Sequence, residues 1–143
     1  MCLLRSFIQS TSDRGELQTS LCYNNHMERL TVGVIQGRQF KNFAENYNNA
    51  DYYVKMCLLQ QNKVIKTKKT EVVKRSTNPS FNESFTFKLP VSSLDIASVS
   101  LTAIQHMTGL KGSFMFARGK ELDHWNEMVA NQREQINDWH VLT

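Results

Sequence analysis

Much that would assign chemistry directly is scarce or missing from this chain of 143 residues. There are only three cysteines, Cys2, Cys22 and Cys57, with no Cys-x-x-Cys or Cys/His spacing for a metal. An odd count argues against a disulfide framework, so a reducing compartment fits and Cys22 and Cys57 read as small buried hydrophobes. The four histidines, His26, His106, His124 and His140, likewise lack metal-ligand spacing. No Gly-rich phosphate loop, nucleophile elbow or Cys/His catalytic pairing occurs, and neither an enzymatic activity nor a cofactor is expected. No apolar run approaches the roughly 20 residues that span a bilayer. The opening Met1 to Ile8 is too short for a signal-peptide core, and no glycine follows Met1 for myristoylation. Cys2 is a conceivable acylation site without a second lipidation signal. Internal repeats and low-complexity tracts are absent too. Any meeting with a membrane is expected at its surface.

What is present is a concentration of positive charge. The formal net charge is only +4, yet the stretch from Asn62 to Asn82 holds Lys63, Lys66, Lys68, Lys69, Lys74 and Arg75 against the single acid Glu71. The remainder is slightly acidic, so the basicity belongs to a patch. Lysine is a poor strand former, but Val64, Ile65, Val72 and Val73 flank the lysines at strand-like density. A strand carrying ammonium groups in a row is a surface suited to anions. The same row also serves as a solvated face, or as an edge made lysine-rich against aggregation. Lys66 and Lys68 share one face of such a strand and Lys69 the other, so part of the cluster faces any one ligand. Nucleic acid is not the expected anion, because no exposed aromatics interleave with the lysines for base stacking.

The surrounding pattern is one of short strands. Residues 1–14 carry no periodicity and read as a tail or linker, and 15–143 as one domain. Leu17, Thr19, Leu21 and Tyr23 alternate on one face; Leu30, Val32 and Val34 repeat the pattern after a turn at Asn24 to His26. A polar loop, Asn42 to Asn49, precedes a third strand with Tyr52, Val54, Met56 and Leu58, and the basic stretch supplies a fourth. Phe81, Phe85, Phe87 and Leu89 mark a fifth strand, Val99 to His106 a sixth, Gly112 to Arg118 a seventh and Ile136 to Leu142 the last. Between these last two, Lys120 to Asn131 places Leu122, Trp125, Met128 and Val129 on one helical face. The fold class predicted is all-β: an eight-stranded antiparallel sandwich with one helix inserted before the last strand.

With these elements in order, the chain resembles a C2 domain, specifically the second (C2B) domain of a synaptotagmin, from Gly15 to Leu142. The motifs are GEL at Gly15 to Leu17, SLCY at Ser20 to Tyr23, RLTV at Arg29 to Val32 and DYYVK at Asp51 to Lys55. They continue with KTKKT at Lys66 to Thr70, NPSFNESFTF at Asn78 to Phe87, HWNEM at His124 to Met128 and WHVL at Trp139 to Leu142. The resemblance implies a Greek-key β-sandwich on the cytoplasmic side of membranes, peripheral here, with a membrane anchor in a longer form. It also implies work in vesicle trafficking or exocytosis through acidic phospholipids or phosphoinositides, trafficking proteins, and homo- or hetero-oligomers with synaptotagmin relatives.

The family's calcium site is degenerate in this sequence. Calcium needs six to eight oxygens, several of them carboxylates. Asp51 matches one ligand of the first loop, while the other falls at Ala44 or Glu45. Where calcium-binding relatives carry Asp-x-Asp, this chain has Gln105-His106-Met107 and then a shortened Thr108-Gly109-Leu110 without a carboxylate. No metal is therefore expected at Glu45, Asp51, Gln105 and Met107, and the resemblance points to the calcium-independent branch, of the fourteen/sixteen type. The family's lysine strand matches at Lys66, Lys68 and Lys69, and its distal arginine pair becomes Arg133-Glu134. Arg133, Trp139, His140 and Leu142 are candidate protein-interaction residues, although Trp139 and His140 read more readily as core and strand-end residues. With its metal partners missing, Asp51 reads rather as a turn carboxylate that caps backbone, and Trp125 as the residue pinning the helix to the sandwich. Asn82-Glu83-Ser84 is formally a glycosylation acceptor, without meaning in the cytosol.

Overall fold

Alternating side chains build this structure, a computed structural model that describes residues 15–40, 51–106, 113–118 and 122–142. The eight strands are β1 (Glu16–Asn24), β2 (Arg29–Arg38), β3 (Asp51–Gln60), β4 (Lys63–Lys69), β5 (Ser80–Lys88), β6 (Ala97–His106), β7 (Ser113–Arg118) and β8 (Ile136–Val141). The helix α1 (Leu122–Ala130) precedes β8, as the 3.6-residue period predicts. A short 3₁₀ turn at Val91–Ser93, which periodicity did not reveal, follows Pro90. The tail 1–14, the polar loop from Asn42 and the segment after His106 lie outside the described residues.

Two four-stranded sheets form, in the orders β5-β2-β1-β8 and β4-β3-β6-β7. Every pairing is antiparallel. Chain crossings between the sheets set β5 beside β2 and β6 beside β3, which is the Greek-key sandwich expected. The inward positions are those the alternation marks: Leu17, Leu21 and Tyr23 of β1, Leu30, Val32 and Val34 of β2, and Tyr52, Val54, Met56 and Leu58 of β3 are buried. Phe87 of β5 completes the first layer, and Val99, Leu101 and Ala103 of β6 complete the one that faces it. Trp125 and Met128 bring α1 into the same core, and the helix packs on β1 and β8. A long-range polar contact ties β1 to the start of the β5–β6 connection: the buried Tyr23 hydroxyl donates to the Leu89 carbonyl at 2.6 Å.

The tight turns follow their residues. In the β1–β2 turn, Asn24 Oδ1 accepts from the backbone N–H groups of His26 and Met27, both at 3.0 Å. The β3–β4 hairpin closes on Gln61 and Asn62 with φ of 50° and 64°, the left-handed pair of a two-residue hairpin.

Strand β4 departs from the simple alternation. Val64 and Ile65 do not enter the core: all seven residues of β4 are exposed. The strand lies at a sheet edge, and a register shift between Leu58 and Leu59 leaves Ile65 without a partner in the ladder. Beyond Lys69 the strand ends because Thr70 substitutes its side chain for the ladder: its Oγ1 accepts from Val54 N at 2.9 Å. Val72 is not in a strand, and Val73 makes only an isolated bridge to Tyr52.

Candidate functional site

The register of the β4-β3-β6-β7 sheet sorts the lysines by face. Residues directly opposite in an antiparallel pair project to the same side. Lys66 and Lys68 stand opposite Leu58 and Met56, so they lie on the inner side, at the open edge where solvent reaches them. Lys69 stands opposite Lys55 on the outer side, and Lys55 is in turn opposite Thr102 of β6. The Lys69 ammonium lies 6.0 Å from the centre of the Tyr53 ring, which approaches His106 edge-on at 6.5 Å. Thus Lys55 and Tyr53 belong to the basic surface, although only the basic stretch itself announces it in the sequence. The signal that could have found them is the alternation of β3: if Tyr52, Val54 and Met56 face inward, Tyr53 and Lys55 must face outward.

Two ammonium groups held directly opposite one another repel. Among the described residues, no carboxylate forms a salt bridge with any lysine of β3 or β4; the pair that does form is Arg38 with Glu16, at 2.8 Å on the other sheet. Among the described residues, the surface is therefore a field of unpaired positive charge. It does not gather all six basic residues into one pocket. Lys63 sits at the hairpin end opposite Gln60, and the strand from there to Lys69 is about 20 Å long. Lys74 and Arg75, both exposed, lie past the other end of β4. The Arg75 backbone N–H donates to Asp51 Oδ1 at 3.1 Å, while φ at Arg75 is 60°.

Asp51 is 2% exposed, and its carboxylate caps this backbone turn. Gln105 is fully buried. Glu45 and Met107 lie outside the described residues. Among the described residues, no three His, Cys, Asp or Glu side chains gather as a metal site. Beside Asp51, the Tyr52 phenol is pushed up to about 12, first by burial and then by the Asp51 charge. Tyr23 is also raised, by burial and then by Glu28.

The four candidate interaction residues near the C-terminus separate. Arg133 is exposed, and its backbone N–H donates to the Tyr23 carbonyl at 2.7 Å. Trp139 is half-buried under the Arg38 guanidinium, 3.9 Å from its ring centre. His140 and Leu142 are fully buried and packed in the sandwich, so they offer a partner no side-chain surface.

The family profile described as the C2 domain matches residues 28–130. The chain belongs to the C2 domain family. It is accordingly a binding module and not an enzyme. Human Synaptotagmin-10 is 34% identical over 137 residues, covering 91% of this chain and 26% of the relative. Human Synaptotagmin-2 is 36% identical over 135 residues, covering 90% and 32% respectively. Human Synaptotagmin-7 is 32% identical over 147 residues, covering 97% and 36%. The chain thus spans about a quarter to a third of the length of these relatives. Among solved structures, the third C2 domain of the KIAA1228 protein superposes with a TM-score of 0.76 at 23% identity, over 97% of this chain and 94% of that one. The Drosophila RIM C2A domain gives 0.75 at 16% identity, over 92% and 100%. These two likenesses establish the fold. No helix among the described residues of this C2 domain is long and apolar enough to cross a membrane.

Proposed function

We propose that this C2 domain is a calcium-independent module of the synaptotagmin C2B type that docks onto acidic phospholipid or phosphoinositide head groups in vesicle trafficking or exocytosis. The observation that carries the reading is the Lys55–Lys69 pair, opposite each other on the outer face with no described carboxylate in a salt bridge to either, beside Lys66 and Lys68 at the open edge. An anionic head group relieves that repulsion. Each basic residue near an anionic leaflet contributes about 1 kcal/mol, so a handful give weak, salt-sensitive attraction and no permanent anchor. Calcium independence is supported by the chain from Gln105 to Leu110, which offers no carboxylate, and by the engagement of Asp51 in a backbone turn.

The test is charge reversal, Lys66→Glu with Lys68→Glu, measured by co-sedimentation with phosphatidylserine or phosphoinositide vesicles. Binding should fall at least a hundredfold; unchanged binding would sink the reading. A second reading, a protein-interaction or self-association module with incidental lipid binding, is favoured by one feature: β4 is an open sheet edge with every residue exposed. Concentration-dependent sedimentation without vesicle binding would select it.

A further inference from the structure

Large apolar side chains exposed on this domain are not scattered. Among the described residues they are Met27, Val64, Ile65, Val91 and Ile96, between 38% and 60% exposed. Single exposed hydrophobics need no explanation, whereas a contiguous group does. All five stand at one end of the sandwich. Met27 lies in the β1–β2 turn, Val64 and Ile65 beside the β3–β4 turn, and Val91 and Ile96 in the β5–β6 connection. Hydrogen bonds tie these segments together. The Val91 N–H donates to Glu28 Oε1 at 3.2 Å and the Leu89 N–H to the Glu28 carbonyl at 2.8 Å. The Gln61 N–H donates to the Ile96 carbonyl at 2.9 Å. The β5–β6 connection therefore runs from one sheet to the other and joins the turns into one rim. Asp51 lies at the opposite end, since β3 runs from it to this rim.

The charges beside the rim point to its occupant. Lys63 and Lys66 bracket Val64 and Ile65 in sequence, and Arg29 and Lys88, directly opposite each other across β2 and β5, flank Met27 and Val91. With Arg133, whose backbone donates to Tyr23 at the end of β1, five exposed cations stand beside the rim among the described residues; of the acids there, Asp95 and Glu134 are exposed and the Glu28 carboxylate is already engaged by Val91. Apolar tips ringed by basic side chains match the boundary between anionic head groups and acyl chains. Penetration stops at that boundary, because the hairpin backbone at Gln61 and Asn62 must stay hydrated.

We infer that the β3–β4 hairpin tip, led by Val64 and Ile65, inserts into the interfacial region of an anionic bilayer, so that the domain docks tilted onto its β4 edge, with the tip in the interface and the lysines of that edge among the head groups. This rests on the lipid-binding reading above and adds an insertion depth and an orientation to it. Binding then has two parts: a salt-sensitive one from the lysines and a salt-resistant one from the rim.

The experiment uses the full chain and acidic phosphatidylserine vesicles carrying brominated acyl chains. An Ile65→Trp variant should show bromine quenching beyond the background from Trp125 and Trp139 in the wild type, strongest for bromines near the head groups. Val64→Ser with Ile65→Ser should lower partitioning about tenfold at every salt concentration, the loss expected when two partly desolvated side chains are made polar. Both substitutions lie at exposed edge positions, and thermal denaturation verifies the fold. Vesicle binding that persists without quenching at position 65 would overturn insertion while leaving head-group binding intact. Absence of vesicle binding in the wild type would overturn both. Normal vesicle binding with self-association lost in the Ser variant would assign the rim to a second copy of the chain and overturn the inference.

Discussion

Replacing Lys55 by Glu should weaken membrane binding and stabilise the domain at the same time. Lys55 sits directly opposite Lys69 on the outer face of the sheet, with no described carboxylate in a salt bridge to either. Reversing its charge changes the field at the surface by two charges. At about 1 kcal/mol per charge near an anionic leaflet, the loss is about 2 kcal/mol, or roughly 30-fold in vesicle affinity. Lys55→Gln, which removes one charge, should cost about fivefold by the same reasoning. The folding equilibrium moves the other way. Exchanging a repelling cross-strand pair for an attracting one is worth about 0.2–1 kcal/mol. In a domain of this size that raises Tm by about 1–4 °C. Vesicle co-sedimentation and thermal denaturation, each repeated at high salt where both effects shrink, read the two signs separately. Unchanged vesicle binding would remove Lys55 from the docking surface. A fall in both binding and Tm would mean that the substitution damages the strand, and the charge argument would be refuted.

Three further outcomes follow from the packing. Tyr52 keeps its proton to about pH 12 when folded, whereas in the unfolded chain it releases it near 10, so the folded state binds more protons between those values. Stability should therefore decline as pH rises from 10 to 12, by up to about 2–3 kcal/mol, and Tyr52→Phe should flatten that slope in urea titrations. Tyr23→Phe removes the hydroxyl that donates to the Leu89 carbonyl, 66 residues away just past β5, and chemical denaturation should show a loss of about 1–2 kcal/mol. Gly37→Ala would drive a Cβ into the Phe40 ring, which packs edge-on against Tyr52, and should cost about 1–3 kcal/mol with a lowered Tm.

Most of the fold is legible in the sequence because strand alternation has a period of two and the core is built from those alternating positions. Leu17 to Tyr23 and Tyr52 to Leu58 needed no tertiary information to orient. The helix was equally legible, with Trp125 and Met128 on its buried face. Edge effects were harder to see. Val64 and Ile65 look like core residues, yet an edge strand with a ladder irregularity has no layer to cover them. Lys55 was invisible as a site residue because its role depends on which residue of β4 lies opposite, and register is a property of two strands together. Composition could mark the lysine cluster but not its division between faces. The sequence already offers His140 as a core residue, and pairing opposite the buried Leu17 of β1 decides it, whereas the burial of Leu142 just past β8 emerges only from the structure. The apolar rim drew its members from three separate connections, far apart in the chain, and no local pattern joins them.

The most direct test of the central claim is co-sedimentation of the wild-type chain with neutral, phosphatidylserine and phosphoinositide vesicles, each with calcium or chelator at two salt concentrations. The account predicts binding to acidic vesicles only, equal with calcium and with chelator, and weaker at high salt. Calcium-stimulated binding, equal binding to neutral vesicles, or none at all would contradict it.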